Sequence, residues 1–187
     1  MIRDSEMLNQ FLHSISKFVR ERLVPAENEV AETDAIPDDI VQEMKDMGLF
    51  GMTIPEEYGG LGLTMEEEVL VAIELGRTSP AFRSLIGTNN GIGSAAIVFD
   101  GTEQQKQHYL PKYASGELIG SFCLTEPDVG SDAGAVKTTA IKKGDEYIII
   151  GNKRLNTQAS KAGPTTQMAL KHPSTQAKKG LSGTTVA

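Results

Sequence analysis

From the N-terminus onward, apolar residues recur at helical spacing. Leu8, Phe11, Leu12, Ile15, Phe18, Val19 and Leu23 fall on one face, which predicts an amphipathic helix from about Asp4 to Leu23. Pro25 is expected to interrupt it, because an interior proline lacks an N–H and its ring meets the carbonyl four residues back. A shorter polar helix is expected to run on to about Asp34. Pro37, Asp38 and Asp39 suit the first turn of a further helix, with Ile40, Met44 and Met47 as its buried stripe and Gly48 as its stop. A loop dense in glycine and proline follows, from Met52 to Gly62. Thr64 with Glu67, and Thr102 with Gln105, form two capping boxes that each open a helix. The first helix closes near Gly76, the second between Pro111 and Gly116. Between them a helix starts at Pro80 and is interrupted by Gly87, Gly91 and Gly93. Each such glycine costs about 1 kcal/mol against alanine, so something must gain from it. Close approach of another helix and a surface left open for a ligand account for them equally well.

The period then changes. Leu118 to Leu124 reads as a short apolar strand, and Ala135 to Lys142 is rich in Val and Thr. Lys143-Gly144-Asp145 is a turn into the strand Glu146 to Ile150, and Gly151-Asn152 reads as a two-residue hairpin turn into a strand from Lys153. Helices first and antiparallel strands second define an α+β fold, divided into a helical domain over 1–117 and a β domain over 118–187. Beyond Thr157 the pattern fades. Residues 158–187 hold no Phe, Tyr or Trp, and Pro164 to Leu170 is a weak strand candidate. No internal repeat is visible.

Composition narrows the class. The chain has 187 residues, 39% hydrophobic and 23% charged, which suits a soluble globular protein with a sizeable core. Its longest apolar runs, Val69 to Ile73 and Tyr147 to Ile150, are far too short to span a bilayer. Acids at Asp4 and Glu6 within an amphipathic pattern are unlike a signal or transit peptide. The single cysteine, Cys123, excludes an internal disulfide and fits a reducing compartment, so a cytoplasmic location is expected. Charge is uneven: residues 1–152 carry −13 and residues 153–187 carry +6. An acidic body argues against nucleic acid as the partner. The basic tail either attracts a phosphorylated ligand or is simply solvated, the second being the plainer reading.

Candidate chemistry concentrates in Phe122-Cys-Leu-Thr-Glu-Pro-Asp-Val-Gly-Ser-Asp132. A strand ends in a threonine, turns through Glu-Pro-Asp and continues into Gly-Ser-Asp. A Gly-Ser turn can present N–H groups and a hydroxyl to an anion, and a strand end with free N–H groups can bond the polar edge of a planar ring. By itself the same string is also an ordinary turn. His13, His108 and His172 lie far apart with no carboxylate or cysteine at metal spacing, so no metal site is expected. Cys123, in an apolar strand, reads as an inert small hydrophobe.

The stretch resembles the flavin-loop signature of the acyl-CoA dehydrogenases. Three further segments resemble that family in the same order: Pro55-Glu-Glu-Tyr-Gly-Gly-Leu-Gly62, then Gly101-Thr-Glu-Gln-Gln-Lys106 with Tyr109-Leu-Pro-Lys112 and Ala114-Ser-Gly-Glu117, and Gly151-Asn-Lys-Arg154. The resemblance implies an N-terminal helical domain, an antiparallel β-barrel-like middle domain that is incomplete here, and a C-terminal helical bundle that this chain does not reach. It implies FAD as cofactor, an acyl-CoA thioester oxidised across its α and β carbons as substrate, and an electron-transfer flavoprotein as partner, in a full-length form that is a homo-oligomer. Carried over residue by residue, Phe122, Cys123, Leu124 and Thr125 would bond the flavin ring. Gly130 and Ser131 would serve the flavin pyrophosphate or the CoA moiety. Asn156 and Thr157 would lie at the second flavin contact, with the Thr157 hydroxyl near N5. The broken helix 80–99 would line the acyl pocket. No catalytic residue is assigned in this chain, because the family's glutamate base comes from the C-terminal domain and Glu126 is not that base. Two departures stand out. Leu155 and Asn156 replace an aromatic and an aliphatic residue before Thr157, and polar Thr165, Thr166, Gln167, Thr184 and Thr185 occupy later strand positions. A non-catalytic relative that binds acyl-CoA or another protein is therefore the alternative reading, with a related oxidase or monooxygenase a third.

Overall fold

The computed structural model describes residues 4–159 together with the backbone of 165–168, 170–171 and 184–186. The chain divides into two compact units, Met1–Leu118 and Ile119–Ala187.

The first unit is helical. α1 (Ser5–Phe18) opens on Asp4, whose carboxylate accepts from the N–H groups of Glu6 and Met7 at 3.0 and 2.9 Å. It buries Leu8, Ile15 and Phe18. Pro25 does not interrupt the helix as the sequence suggests. A π turn over Val19–Leu23 intervenes, and α2 (Val24–Thr33) continues with Pro25 in its first turn. The wider turn bonds the Val24 N–H to the Val19 carbonyl five residues back, so Pro25 enters where the regular four-residue ladder has already been relaxed.

α3 (Asp38–Asp46) buries Ile40 and Met44 and stops at Gly48, which takes φ 72°. That left-handed conformation is one that side chains with a Cβ resist. The loop from Gly51 to Leu63 folds on itself: Leu61 N–H donates to the Gly51 carbonyl, Gly62 to Ile54 and Leu63 to Met52, at 2.9, 2.9 and 2.7 Å. The expected capping boxes at Thr64/Glu67 and Thr102/Gln105 both form, opening α4 (Met65–Leu75) and α7 (Glu103–Ala114).

α5 (Pro80–Asn90) and α6 (Ile92–Asp100) are separated at Gly91. A Cβ at Gly87 would meet only the exposed Arg83 guanidinium of its own helix, at 3.3 Å, and one at Gly91 only the Gly87 carbonyl, at 3.0 Å. No other helix presses on either position, so Gly87 and Gly91 fit the open-surface reading, whereas Gly93 is buried in α6 and does not. Asn90, at the end of α5, ties the loop to the helices: its side-chain amide donates to the Leu49 and Ile86 carbonyls, and its oxygens accept from Thr53.

The second unit carries the strands. β1 (Ser121–Cys123) pairs in parallel with β4 (Thr165–Met168), which pairs antiparallel with β6 (Thr184–Val186). β2 (Thr139–Lys143) and β3 (Glu146–Ile150) form an antiparallel hairpin around Gly144, at φ 64°, and β5 (Leu170–Lys171) adds to β2 in parallel. The α+β order is as expected. The two sheets are small and mixed, and neither closes among the described residues. Part of the weak candidate 164–170 is thus strand, whereas the packing of the tail and His172 lie outside the described residues. No described helix is long and apolar enough to cross a membrane.

One strand expectation fails. Gly151-Asn152 makes no hairpin, and 151–156 has no regular structure. Leu155 takes φ 57° and Gln158 φ 63°, which breaks the extended run a ladder needs. Gly151 serves a different purpose. A Cβ there would run into the Thr138 side chain, 2.6 Å from its Cβ and 2.7 Å from its Cγ2, so glycine is required by close packing on Thr138.

Candidate functional site

After β1 the chain enters a tight turn. Glu126 N–H donates to the Val129 carbonyl at 2.9 Å and Val129 N–H returns to the Glu126 carbonyl at 3.2 Å, with Pro127 presetting the first corner. Segment 153–157 runs antiparallel beside 121–125. Arg154 N–H donates to the Thr125 carbonyl at 2.9 Å, Lys153 Nζ to the Leu124 carbonyl at 3.1 Å, and Ser121 Oγ to the Thr157 carbonyl at 2.8 Å. The Leu124 and Thr125 carbonyls are therefore both held by 153–154, one by the Lys153 side chain and one by the Arg154 backbone. A trans peptide places the following N–H on the opposite side, so the Thr125 amide points away from the Lys153 ammonium. The donors this strip can present to a ligand include the Thr125 amide and its half-buried hydroxyl.

Glu126 pins the turn. Its side chain is 5% exposed and that of Lys153 is 8% exposed, with 3.0 Å between Oε1 and Nζ. The carboxylate also accepts from the Lys137 and Thr138 N–H groups at 2.8 and 2.9 Å and from the Thr138 hydroxyl at 2.5 Å. Burial alone would raise its pKa. The bonds from the Thr138 hydroxyl, the two amides and Lys153 outweigh burial and bring it down to about 2. A carboxylate depressed on folding contributes stability above its unfolded pKa, near 4.5, and loses it as pH falls toward 2. The stability difference between the wild type and Glu126→Gln is thus expected to hold constant above about pH 5 and to close at lower pH. Urea melts at stepped pH check this; a difference unchanged down to pH 2 would sink the assignment.

Phe122 is half-buried and Cys123 buried in β1, where burial pushes the thiol up, as suits an inert residue. Leu124, Thr125 and Asn156 are half-buried, and Thr157 is exposed in the turn beyond. The structure thus brings Phe122 to Thr125 and Asn156 to Thr157 into one strip. Gly130 and Ser131 sit exposed further along the loop, with nothing within 4 Å of where a Gly130 Cβ would stand. Among the described residues no hydrogen bond joins them to the strip. Leu155, at the position of the missing aromatic, is 91% exposed.

Sequence reasoning missed Glu126, Lys153 and Thr138 as the parts that hold the site. Glu126 and Lys153 are 27 residues apart, and no local pattern links them. No cluster of His, Cys, Asp and Glu that could hold a metal occurs among the described residues. A separate apolar hollow of about 440 Å3 lies in the helical unit, with Leu8, Phe11, Met47 and Leu61 in its wall.

The strip of Phe122 to Thr125, flanked by Asn156 and Thr157, is followed by the exposed Gly130-Ser131 loop. Residues 5–117 match the acyl-CoA dehydrogenase N-terminal domain and residues 121–187 the acyl-CoA dehydrogenase middle domain; the chain belongs to the acyl-CoA dehydrogenase family. It is 36% identical over 168 residues to an acyl-CoA dehydrogenase of Bacillus subtilis (strain 168), covering 90% of this chain and 44% of that protein. A chain in the structure of the electron transferring flavoprotein of Acidaminococcus fermentans superposes with a TM-score of 0.81 at 32% identity, covering 90% of this chain and 45% of that one. An acyl-CoA dehydrogenase of Bacillus anthracis, solved in complex with FAD, superposes with a TM-score of 0.79 at 31% identity, covering 90% of this chain and 30% of that one. The chain thus spans under half the length of these proteins.

Proposed function

We propose that this chain supplies the helical and part of the middle domain of an FAD-dependent dehydrogenase that oxidises an acyl-CoA thioester across its α and β carbons. The observation that carries this is the strip formed by 121–125 and 153–157, whose Leu124, Thr125 and Thr157 carbonyls are engaged within it and which has the Thr125 amide and hydroxyl as donors. That donor set fits the carbonyl-bearing edge of an isoalloxazine. When bound, FAD supplies the hydride acceptor. The chain's own residues bind and orient: Phe122 to Thr125 through backbone groups and the Thr125 hydroxyl, Asn156 and Thr157 from the neighbouring segment, and Gly130 and Ser131 toward the pyrophosphate or the CoA. The open surface of α5 and α6 suits the acyl chain. Glu126 is not offered as the base for the α proton, because it is buried and engaged by four donors. Electrons pass on to an electron-transfer flavoprotein, a reading supported by the likeness to the Acidaminococcus chain.

Titrating the chain with FAD is expected to perturb the flavin absorption bands with weak affinity, and acyl-CoA turnover is expected to be undetectable. Substantial turnover would show that a residue of this chain serves as the base. Leu155, exposed where the family carries an aromatic, favours a second reading, a non-catalytic acyl-CoA-binding relative. Heat of binding with an acyl-CoA but none with FAD would select it.

A further inference from the structure

We infer that the buried Glu126–Lys153 pair is a positioning device for the flavin-binding strip, holding the Leu124 peptide so that the Thr125 donors face the ring. This deepens the flavin reading and rests on it. Lys153 Nζ bridges the Glu126 carboxylate at 3.0 Å and the Leu124 carbonyl at 3.1 Å. One cation therefore reaches the side chain that pins the turn and also a carbonyl that sets which way the strip's amides point. Glu126 in turn gathers the amides of Lys137 and Thr138 at the entry to β2, and the adjacent Arg154 N–H holds the Thr125 carbonyl. The loop is thus fastened to two other segments, the entry to β2 and 153–154, with its polar atoms committed inward.

A buried ion pair is costly to desolvate and is weak evidence for stability as such, since a neutral replacement of similar volume often folds as well. Its presence here is explained by orientation: a Gln–Met pair can refill the volume but puts no donor where Lys153 Nζ meets the Leu124 carbonyl. Preorganised donors bind a ligand without first reordering the loop, and loosening them lowers affinity.

The test compares four forms of the full chain: wild type, Lys153→Met, Lys153→Arg, and the double variant Glu126→Gln/Lys153→Met. Each is melted without ligand and then titrated with FAD, well below its own melting midpoint, by flavin absorption and fluorescence. The single Lys153→Met leaves a buried carboxylate unpaired and is expected to melt early. The double variant removes that charge and is expected to recover most of the melting temperature while binding FAD at least about 10-fold more weakly than wild type. Lys153→Arg, which keeps a cationic donor, is expected to bind within about 3-fold of wild type. Wild-type FAD affinity in the double variant overturns the positioning role alone, because refilled volume would then suffice. Weak binding by Lys153→Arg in a chain that melts like wild type overturns it too. No FAD uptake by the wild type overturns the flavin reading itself, and the positioning role with it.

Discussion

Gly60→Ala is expected to destabilise the helical unit by about 3 kcal/mol. A Cβ there would overlap the Ile54 carbonyl oxygen and lie 2.6 Å from its carbon and 2.7 Å from the Gly51 oxygen. All three are backbone atoms, so no rotamer change relieves the clash. The loop cannot open locally either, because the Gly51 and Ile54 carbonyls accept from Leu61 and Gly62, and Leu49, Phe50 and Ile54 beneath are fully buried. Gly59, next in line, is the control. It takes φ 83° with nothing within 4 Å of where a Cβ would stand, so Gly59→Ala meets conformational strain only, about 1 kcal/mol. Urea unfolding followed by helical circular dichroism separates the two. Equal losses for Gly59→Ala and Gly60→Ala would show that the loop relaxes around the added methyl.

Gly151→Ala is expected to cost about 2 kcal/mol, felt in the strand-bearing unit. The added carbon would meet Thr138, which is 1% exposed and cannot turn aside, because its hydroxyl and its N–H both hold Glu126. Relief must come from moving the loop at 151 or from releasing Glu126. Hydrogen exchange locates the damage. Amides of β2 and β3 and of the turn after β1 are expected to exchange faster, while those of α4 and α7 keep their wild-type rates. Uniform acceleration through both units would contradict this.

These glycines show where sequence reading reaches and where it stops. Thr64 and Thr102 announce their helices because each cap and its partner are three residues apart, and the Gly144-Asp145 turn is equally local. Gly151 misled, because a glycine before an asparagine looks like a hairpin turn whether the backbone needs the freedom or a distant side chain needs the room. Thr138, the side chain in question, is thirteen residues earlier and gives no local sign. Likewise Phe122 to Thr125 and Thr157 could be singled out from the sequence as a candidate strip, yet the Glu126–Lys153 tie that orders it could not, since burial and pairing across 27 residues are properties of the folded chain. The Gly87 and Gly91 question was posed by composition and answered only by what stands near them.

The π turn at Val19–Leu23 has a consequence for register. The buried residues of the first long helical stretch include Leu8, Ile15, Leu23 and Val30, spaced seven, eight and seven apart. Two α turns hold about seven residues, and a turn closed on the fifth residue holds one more. The eight falls where that wide turn lies. A residue that would otherwise have rotated Leu23 and Val30 toward water is taken up as local girth, and the seam stays in phase across the proline.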